Sequence, residues 1–206
     1  MRKMIKTVIF DLGGVIVPLD FAAGYKQLEG RCPFTAEEIP ERIWATDTVV
    51  RFESGKLSPE DFHNELCGVI QLDASFEEFK QLWCAIFPSH ALFPHEWIER
   101  IRRERRVLLL SNTNAIHFEL IQQRYPHLAH FDHYVLSHEV GAMKPNPAIY
   151  DEAIARADCA ASECFFTDDV MPYVEGARRA GIDAEQFLGA DKLKTDLAVR
   201  GIVVDA

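Results

Sequence analysis

Three short apolar runs in this 206-residue chain end in residues that could do chemistry. Thr7-Val8-Ile9-Phe10 ends in Asp11, Val107-Leu108-Leu109-Leu110 in Ser111, and Cys164-Phe165-Phe166 in Thr167-Asp168-Asp169. A fourth run, Tyr134-Val135-Leu136, is followed by the loop Gly141-Ala142-Met143-Lys144-Pro145. The set is three carboxylates, a hydroxyl and an ammonium. Carboxylates gathered at one point repel each other unless a cation lies between them. Hard oxygen ligands of this kind suit Mg²⁺, which keeps several waters and takes a substrate phosphate oxygen. A carboxylate beside such a metal can attack phosphorus and form an aspartyl phosphate. The metal, Lys144, Ser111 and nearby backbone N–H groups would offset charge on the transferring phosphoryl. Taken singly, Asp11 or Ser111 also reads as a turn cap and Lys144 as a solvated cation. Together, at four strand ends, they do not.

The elements that must position these residues follow from hydrophobic patterning. The four runs are unalternated, as strands buried on both faces are. Between them, Ile116, Leu120 and Ile121 share a helical face in 114–124, and Ile149, Ala153, Ile154 and Ala157 share one in Pro147–Ala157, where Pro147 suits a first turn. A weaker strand over 182–187 follows Gly181, a helix C-cap. This alternation predicts an α/β fold with a parallel, doubly wound, Rossmann-like sheet, whose ligands bind at the carboxyl ends of the strands. Residues 21–93 carry no strand runs. Phe62, Leu66, Val69 and Ile70 recur at helical spacing, as do Phe76, Phe79 and Trp83, and Ser58-Pro59-Glu60-Asp61 is a strong helix start. The division expected is a core of 1–17 and 94–206 with a helical insert at 18–93. The run 100–106, with five arginines and one glutamate, reads as the solvated end of a helix entering the second strand.

Lys plus Arg is 22 and Asp plus Glu is 32, a net charge of −10 that disfavours nonspecific nucleic-acid and anionic-membrane binding. Part of that charge is Asp11, Asp168 and Asp169, where a divalent cation would use it. No stretch approaches the roughly 18 apolar residues of a membrane span, and the run before Asp11 is too short for a signal-peptide core. The five cysteines form no C-x-x-C pair and read as reduced, packed thiols, so a cytoplasmic location is expected. His127, His130, His133 and His138 do not share one helix face and read as packing or surface residues rather than a zinc site. Trp44 and Trp83 read as core rather than as a ligand platform.

The segment Val8-Ile9-Phe10-Asp11-Leu12-Gly13-Gly14-Val15 resembles the first motif of the haloacid dehalogenase (HAD) superfamily. Leu110-Ser111-Asn112-Thr113 is similar to its second motif, Lys144-Pro145 to its third, and Phe166-Thr167-Asp168-Asp169 with Val174-Glu175-Gly176-Ala177 to its fourth. Arg51-Phe52-Glu53-Ser54-Gly55-Lys56-Leu57-Ser58 resembles a segment of the helical-cap (C1, subfamily IA-like) subgroup. The D-L-G-G first motif is similar to that of sugar-phosphate phosphatases. The resemblance implies that Asp11 is the nucleophile and a metal ligand, and that Asp168, Asp169 and the Gly13 carbonyl complete a Mg²⁺ site. It implies that Gly13, Gly14, Ser111, Asn112 and Lys144 hold the phosphoryl group, with Ser111 and Lys144 also serving catalysis. The expected function is a Mg²⁺-dependent phosphomonoester hydrolase for a small phosphorylated metabolite, with sugar phosphates favoured by resemblance. Two positions depart from the family. Gly13 stands where most phosphatases of the superfamily carry a second aspartate, the general acid and base, so Asp20, Glu53 and His63 become candidates for that role. This loss also leaves a second reading open, a phosphate-binding or protein-interaction module with little turnover. Tyr173 stands where relatives often have Asn.

Overall fold

A computed structural model describes residues 4–204. The chain begins with β1 (Thr7–Phe10) and continues through α1 (Phe21–Leu28), α2 (Glu38–Trp44), α3 (Thr48–Glu53), α4 (Pro59–Ile70), α5 (Phe76–Trp83) and α6 (His95–Arg102). Next come β2 (Arg106–Ser111), α7 (Ala115–Arg124), β3 (His133–Leu136), the single turn α8 (Ser137–Val140) and α9 (Pro147–Ala157). β4 (Cys164–Asp168), α10 (Met171–Arg179), β5 (Asp183–Gln186) and α11 (Ala190–Ala198) complete it. The strands form one parallel sheet in the order β3-β2-β1-β4-β5. The first strand is therefore central, flanked by β2 and β4, and the direction of winding reverses beside it. Such a reversal opens a crevice at the carboxyl ends of the strands.

Period-two alternation divides the core between the two faces of the sheet. Val8, Phe10, Val107 and Leu109 bury one face; Ile9, Leu108 and Leu110 bury the other. α9 and α10 cover the second face with Ile149, Tyr150, Ala153, Val174 and Ala177. The first face is continuous with apolar side chains of the helices between β1 and β2, including Ile39, Phe52, Phe62 and Phe79. Phe62 is the hub there, stacked on Phe52 with ring centroids 4.1 Å apart and edge-on to Trp83 at 5.1 Å. Ser58 caps α4, its Oγ accepting from the Asp61 N–H at 3.0 Å.

Two strands differ in extent from the patterning. β4 runs two residues past its apolar stretch, because Thr167 and Asp168 are fully buried and keep their ladder partners on β1 and β5. β5 is shorter than expected, since the Ile182 N–H closes the end of α10 on the Ala177 carbonyl. The histidines in question are packed: His127 Nε2 lies 2.7 Å from the Phe93 carbonyl, and the His130 ring stacks on His95. Trp44 departs from the core expectation, being largely exposed. Among the described residues no helix is long and apolar enough to cross a membrane.

Candidate active site

Strand register assembles the site. Phe10 pairs with Leu109 on one side and Thr167 on the other, so Asp11, one step on, lies between the ends of β2 and β4. Its N–H donates to the Thr167 carbonyl at 3.0 Å, extending the ladder by one bond. Asp168 is the last residue of β4 and Ser111 the last of β2. All three are buried.

Lys144 enters from the loop after α8. Asn112 clamps that loop: its Oδ1 accepts from the Lys144 N–H at 2.7 Å, and its Nδ2 donates to the Lys144 carbonyl at 3.1 Å. The buried Nζ then reaches Asp11 Oδ1 at 2.8 Å, Asp168 Oδ2 at 2.5 Å and the Leu110 carbonyl at 3.2 Å. All three of its donors are used. Asp168 Oδ1 accepts from the Val170 N–H at 2.8 Å, which fixes that carboxylate. Ser137 Oγ steadies the neighbouring loop by bonding both the N–H and the carbonyl of Thr113. Gly14, at φ +77°, passes so close to Asp169 that a Cβ would overlap its carboxylate. Only glycine meets both demands.

Asp11, Asp168 and Asp169 each offer an oxygen, and the three atoms lie within 4.8 Å of one another. Against these carboxylates stands one ammonium. Burial pushes the Asp11 carboxyl up, Lys144 opposes this, and the Asp168 charge adds to it. Burial and the Asp168 charge likewise raise Asp169. Burial would lower Lys144, but Asp11 and Asp168 outweigh it and hold the ammonium charged. Uncompensated buried charge is costly. A hard divalent cation fits both the charge deficit and the all-oxygen donor set.

Above this floor, between the sheet and the helices preceding β2, lies a cavity of about 130 Å³. Gly13, Ser111, Asn112 and Thr113 line its floor and Glu53 its wall. Ser111 Oγ has no hydrogen-bond partner among the described residues. A Cβ on Gly13 would lie 3.2 Å from Leu19 Cδ1, so a leucine side chain occupies the space beside the absent acid. Of the three candidates for that role, Asp20 caps α1, accepting from the Ala23 N–H at 2.9 Å. His63 bonds the Ala74 carbonyl at 2.9 Å and packs on Phe76 and Phe79, within the helical insert. Glu53 alone faces the cavity. Its carboxylate has no partner among the described residues, and burial raises its pKa to about 7. Its charge acts on Tyr173, whose ring lies 5.1 Å from Lys144 Nζ. That ring packs over the ammonium, and the Tyr173 hydroxyl bonds Asn112.

Leu19 and Trp44 are wall residues that patterning missed. Leu19 falls in a loop with no periodicity, and an exposed tryptophan on a short amphipathic helix gives no sign of what it faces. Gly55 carries a stronger signal. At φ +70° it packs so that a Cβ would collide with the His138 carbonyl, fixing where the segment bearing Glu53 rests on α8.

The haloacid dehalogenase-like hydrolase family profile matches residues 5–181. D-ribitol-5-phosphate phosphatase of Bacteroides thetaiotaomicron is 30% identical over 189 residues, 89% of this chain and 92% of that protein. A sesquiterpene phosphatase of Aspergillus oryzae is 25% identical over 98% of this chain and 99% of its own length. Among solved structures, a HAD-like family hydrolase from Porphyromonas gingivalis superposes with a TM-score of 0.83 at 25% identity, covering 96% of this chain and 98% of that one. A HAD family enzyme from B. thetaiotaomicron, in complex with magnesium and inorganic phosphate, gives 0.79 at 24% identity, covering 90% and 96%.

Proposed function

The chain belongs to the haloacid dehalogenase-like hydrolase family, and from that premise we propose that it is a Mg²⁺-dependent phosphomonoesterase acting through an aspartyl phosphate on Asp11. The observation that carries this reading is the seating of Lys144 Nζ on Asp11 at 2.8 Å and Asp168 at 2.5 Å, with Asp169 beside them. One ammonium and three carboxylates at a sheet's carboxyl edge make a cation site with an anion-binding neighbour.

Asp11, Asp168, Asp169 and the Gly13 carbonyl would hold Mg²⁺, which supplies Lewis acidity against phosphoryl charge. Asp11 attacks phosphorus while Lys144 fixes its carboxylate. Ser111 Oγ, the Asn112 N–H and the Gly13-Gly14 turn hold the phosphoryl oxygens. Glu53 takes the role left open at Gly13: it gives its proton to the leaving oxygen and then accepts one from the attacking water. A carboxyl titrating near 7 suits both halves of that task. Residues 18–93 act as the cap, excluding water and selecting a small phosphorylated metabolite.

The glycine at position 13 also favours a second reading, a phosphate-binding or interaction module with little turnover. Hydrolysis of p-nitrophenyl phosphate separates the two, because its leaving group needs little protonation. The enzyme reading expects Mg²⁺-dependent phosphate release that is lost in Asp11→Asn. Release absent from the native protein, or undiminished in the variant, contradicts it.

A further inference from the structure

The walls of the cavity above Ser111 bear on the leaving group, given the phosphomonoesterase reading on which this inference rests. Apolar side chains, Leu19, Ile43, Val49, Leu82, Ile86 and Ile121 among them, supply most of the wall. The polar groups among the lining residues are few, and some are already engaged. Both amide ends of Asn112 are taken by Lys144. His117 bonds Asn114 through Nδ1 and the Trp83 carbonyl through Nε2, and its burial lowers its pKa to about 4, keeping it neutral. The Tyr25 oxygen accepts from the Trp44 indole N–H, which leaves its own O–H free to donate. What else remains is Glu53 with the Ser111 and Thr113 hydroxyls, and the buried, unpartnered Trp83 Nε1 in the wall. Among the described residues no Lys or Arg lines the cavity.

A polyol leaving group would bring several hydroxyls into a space that, beyond the Ser111 and Thr113 hydroxyls at its floor, offers only Glu53, the Tyr25 hydroxyl and Trp83 Nε1 to meet them. Each hydroxyl left unpaired costs about tenfold in affinity or more. A second phosphate or a carboxylate would meet no cation. A hydrocarbon loses nothing on entering. We propose that the site takes an apolar phosphomonoester, with an aryl or short alkyl leaving group filling the cavity below the cap. Apolar protein cavities of about 150 Å³ hold benzene, so about 130 Å³ admits about six carbon atoms.

The test uses the native protein with Mg²⁺ and the n-alkyl phosphates from ethyl to hexyl, whose leaving groups differ little in basicity. Ribitol 5-phosphate and glycerol 3-phosphate are the polyol probes. Acetyl phosphate, activated and too small to fill the cavity, reports the phosphoryl chemistry alone. Binding of the matching n-alkylphosphonates is measured by calorimetry. The proposal expects kcat/KM to rise about fourfold per methylene, equivalent to about 0.8 kcal/mol, and hexyl phosphate to exceed both polyol phosphates. Turnover of acetyl phosphate with a flat alkyl series, or with ribitol 5-phosphate at least equal to hexyl phosphate, overturns the leaving-group assignment and leaves the phosphatase reading intact. Absence of all turnover contradicts the phosphatase reading. In that case tighter binding of hexyl- than ethylphosphonate upholds the apolar site, and equal binding overturns it.

Discussion

Replacing Glu53 by Gln keeps the side chain's size and removes its titration. In the native protein, burial raises this carboxyl from the ordinary 4.5 to about 7. About nine molecules in ten then carry the proton at pH 6, and about one in ten at pH 8. General acid help is worth about 10² to 10⁴ in rate. Glu53→Gln should therefore slow a simple alkyl phosphate by about 10²-fold or more at pH 6. In kcat/KM, which reports formation of the aspartyl phosphate and not its hydrolysis, it should slow p-nitrophenyl phosphate, which departs without a proton, by less than about tenfold. The fall in kcat above pH 7 with the alkyl phosphate should disappear in the variant. Stability gives an independent check. Because the folded-state pKa lies above the unfolded one, native protein binds the extra proton between pH 4.5 and 7, and stability is lost as pH rises through that window. The full shift corresponds to about 3 kcal/mol, discounted to about 2 for a half-buried side chain. Gln has no such slope. Urea midpoints at pH 4.5 and pH 8 should show the variant gaining about 2 kcal/mol on the native protein between the two. Equal losses in kcat/KM on both substrates, or an alkaline fall that survives in the variant, would refute the role given to Glu53.

Gly13 has an ordinary backbone conformation and only the flexible Leu19 tip nearby, so Gly13→Asp is accommodated. Introduced into the Glu53→Gln background, it should restore alkyl phosphate hydrolysis by at least about tenfold while changing p-nitrophenyl phosphate little; no rescue in pre-steady-state rates counts against acid catalysis as the missing function. Lys144→Met leaves buried carboxylates without their cation, and should cost about 3–5 kcal/mol in chelator-treated buffer. Mg²⁺ should recover more stability in that variant than in the native protein, as read from thermal midpoints; an unchanged metal-free midpoint argues against the charge balance described.

The parts of this architecture that were legible in the sequence are those with local causes. Buried parallel strands need unbroken apolar runs, so β1 and β2 stand out, and their last residues point to Asp11 and Ser111. Ser58 with Pro59 announces α4 because capping acts within one turn. Gly14 is legible as part of a motif, although its reason, the approach of Asp169, comes from just past the end of β4, more than 150 residues away. Thr167 and Asp168 lie beyond the apolar run but are strand, because β1 and β5 pair with Thr167 on either side and β5 pairs with Asp168. The choice among Asp20, Glu53 and His63 had no local cause at all. It depends on how the segment around Gly55 rests on the His138 carbonyl, a contact between two elements far apart in the chain. The apolar walls were equally hidden, since a leucine facing a cavity and a leucine facing a core share one pattern.

Trapping the acyl phosphate decides whether the chemistry at Asp11 is covalent. Protein mixed with Mg²⁺ and p-nitrophenyl phosphate is quenched in acid during turnover, reduced with borohydride and digested, and the peptide spanning residue 11 is weighed. An aspartyl phosphate is reduced to homoserine, so the account predicts homoserine at position 11, dependent on both substrate and Mg²⁺. Unmodified Asp11 under conditions of steady phosphate release, or homoserine at another aspartate, would contradict it.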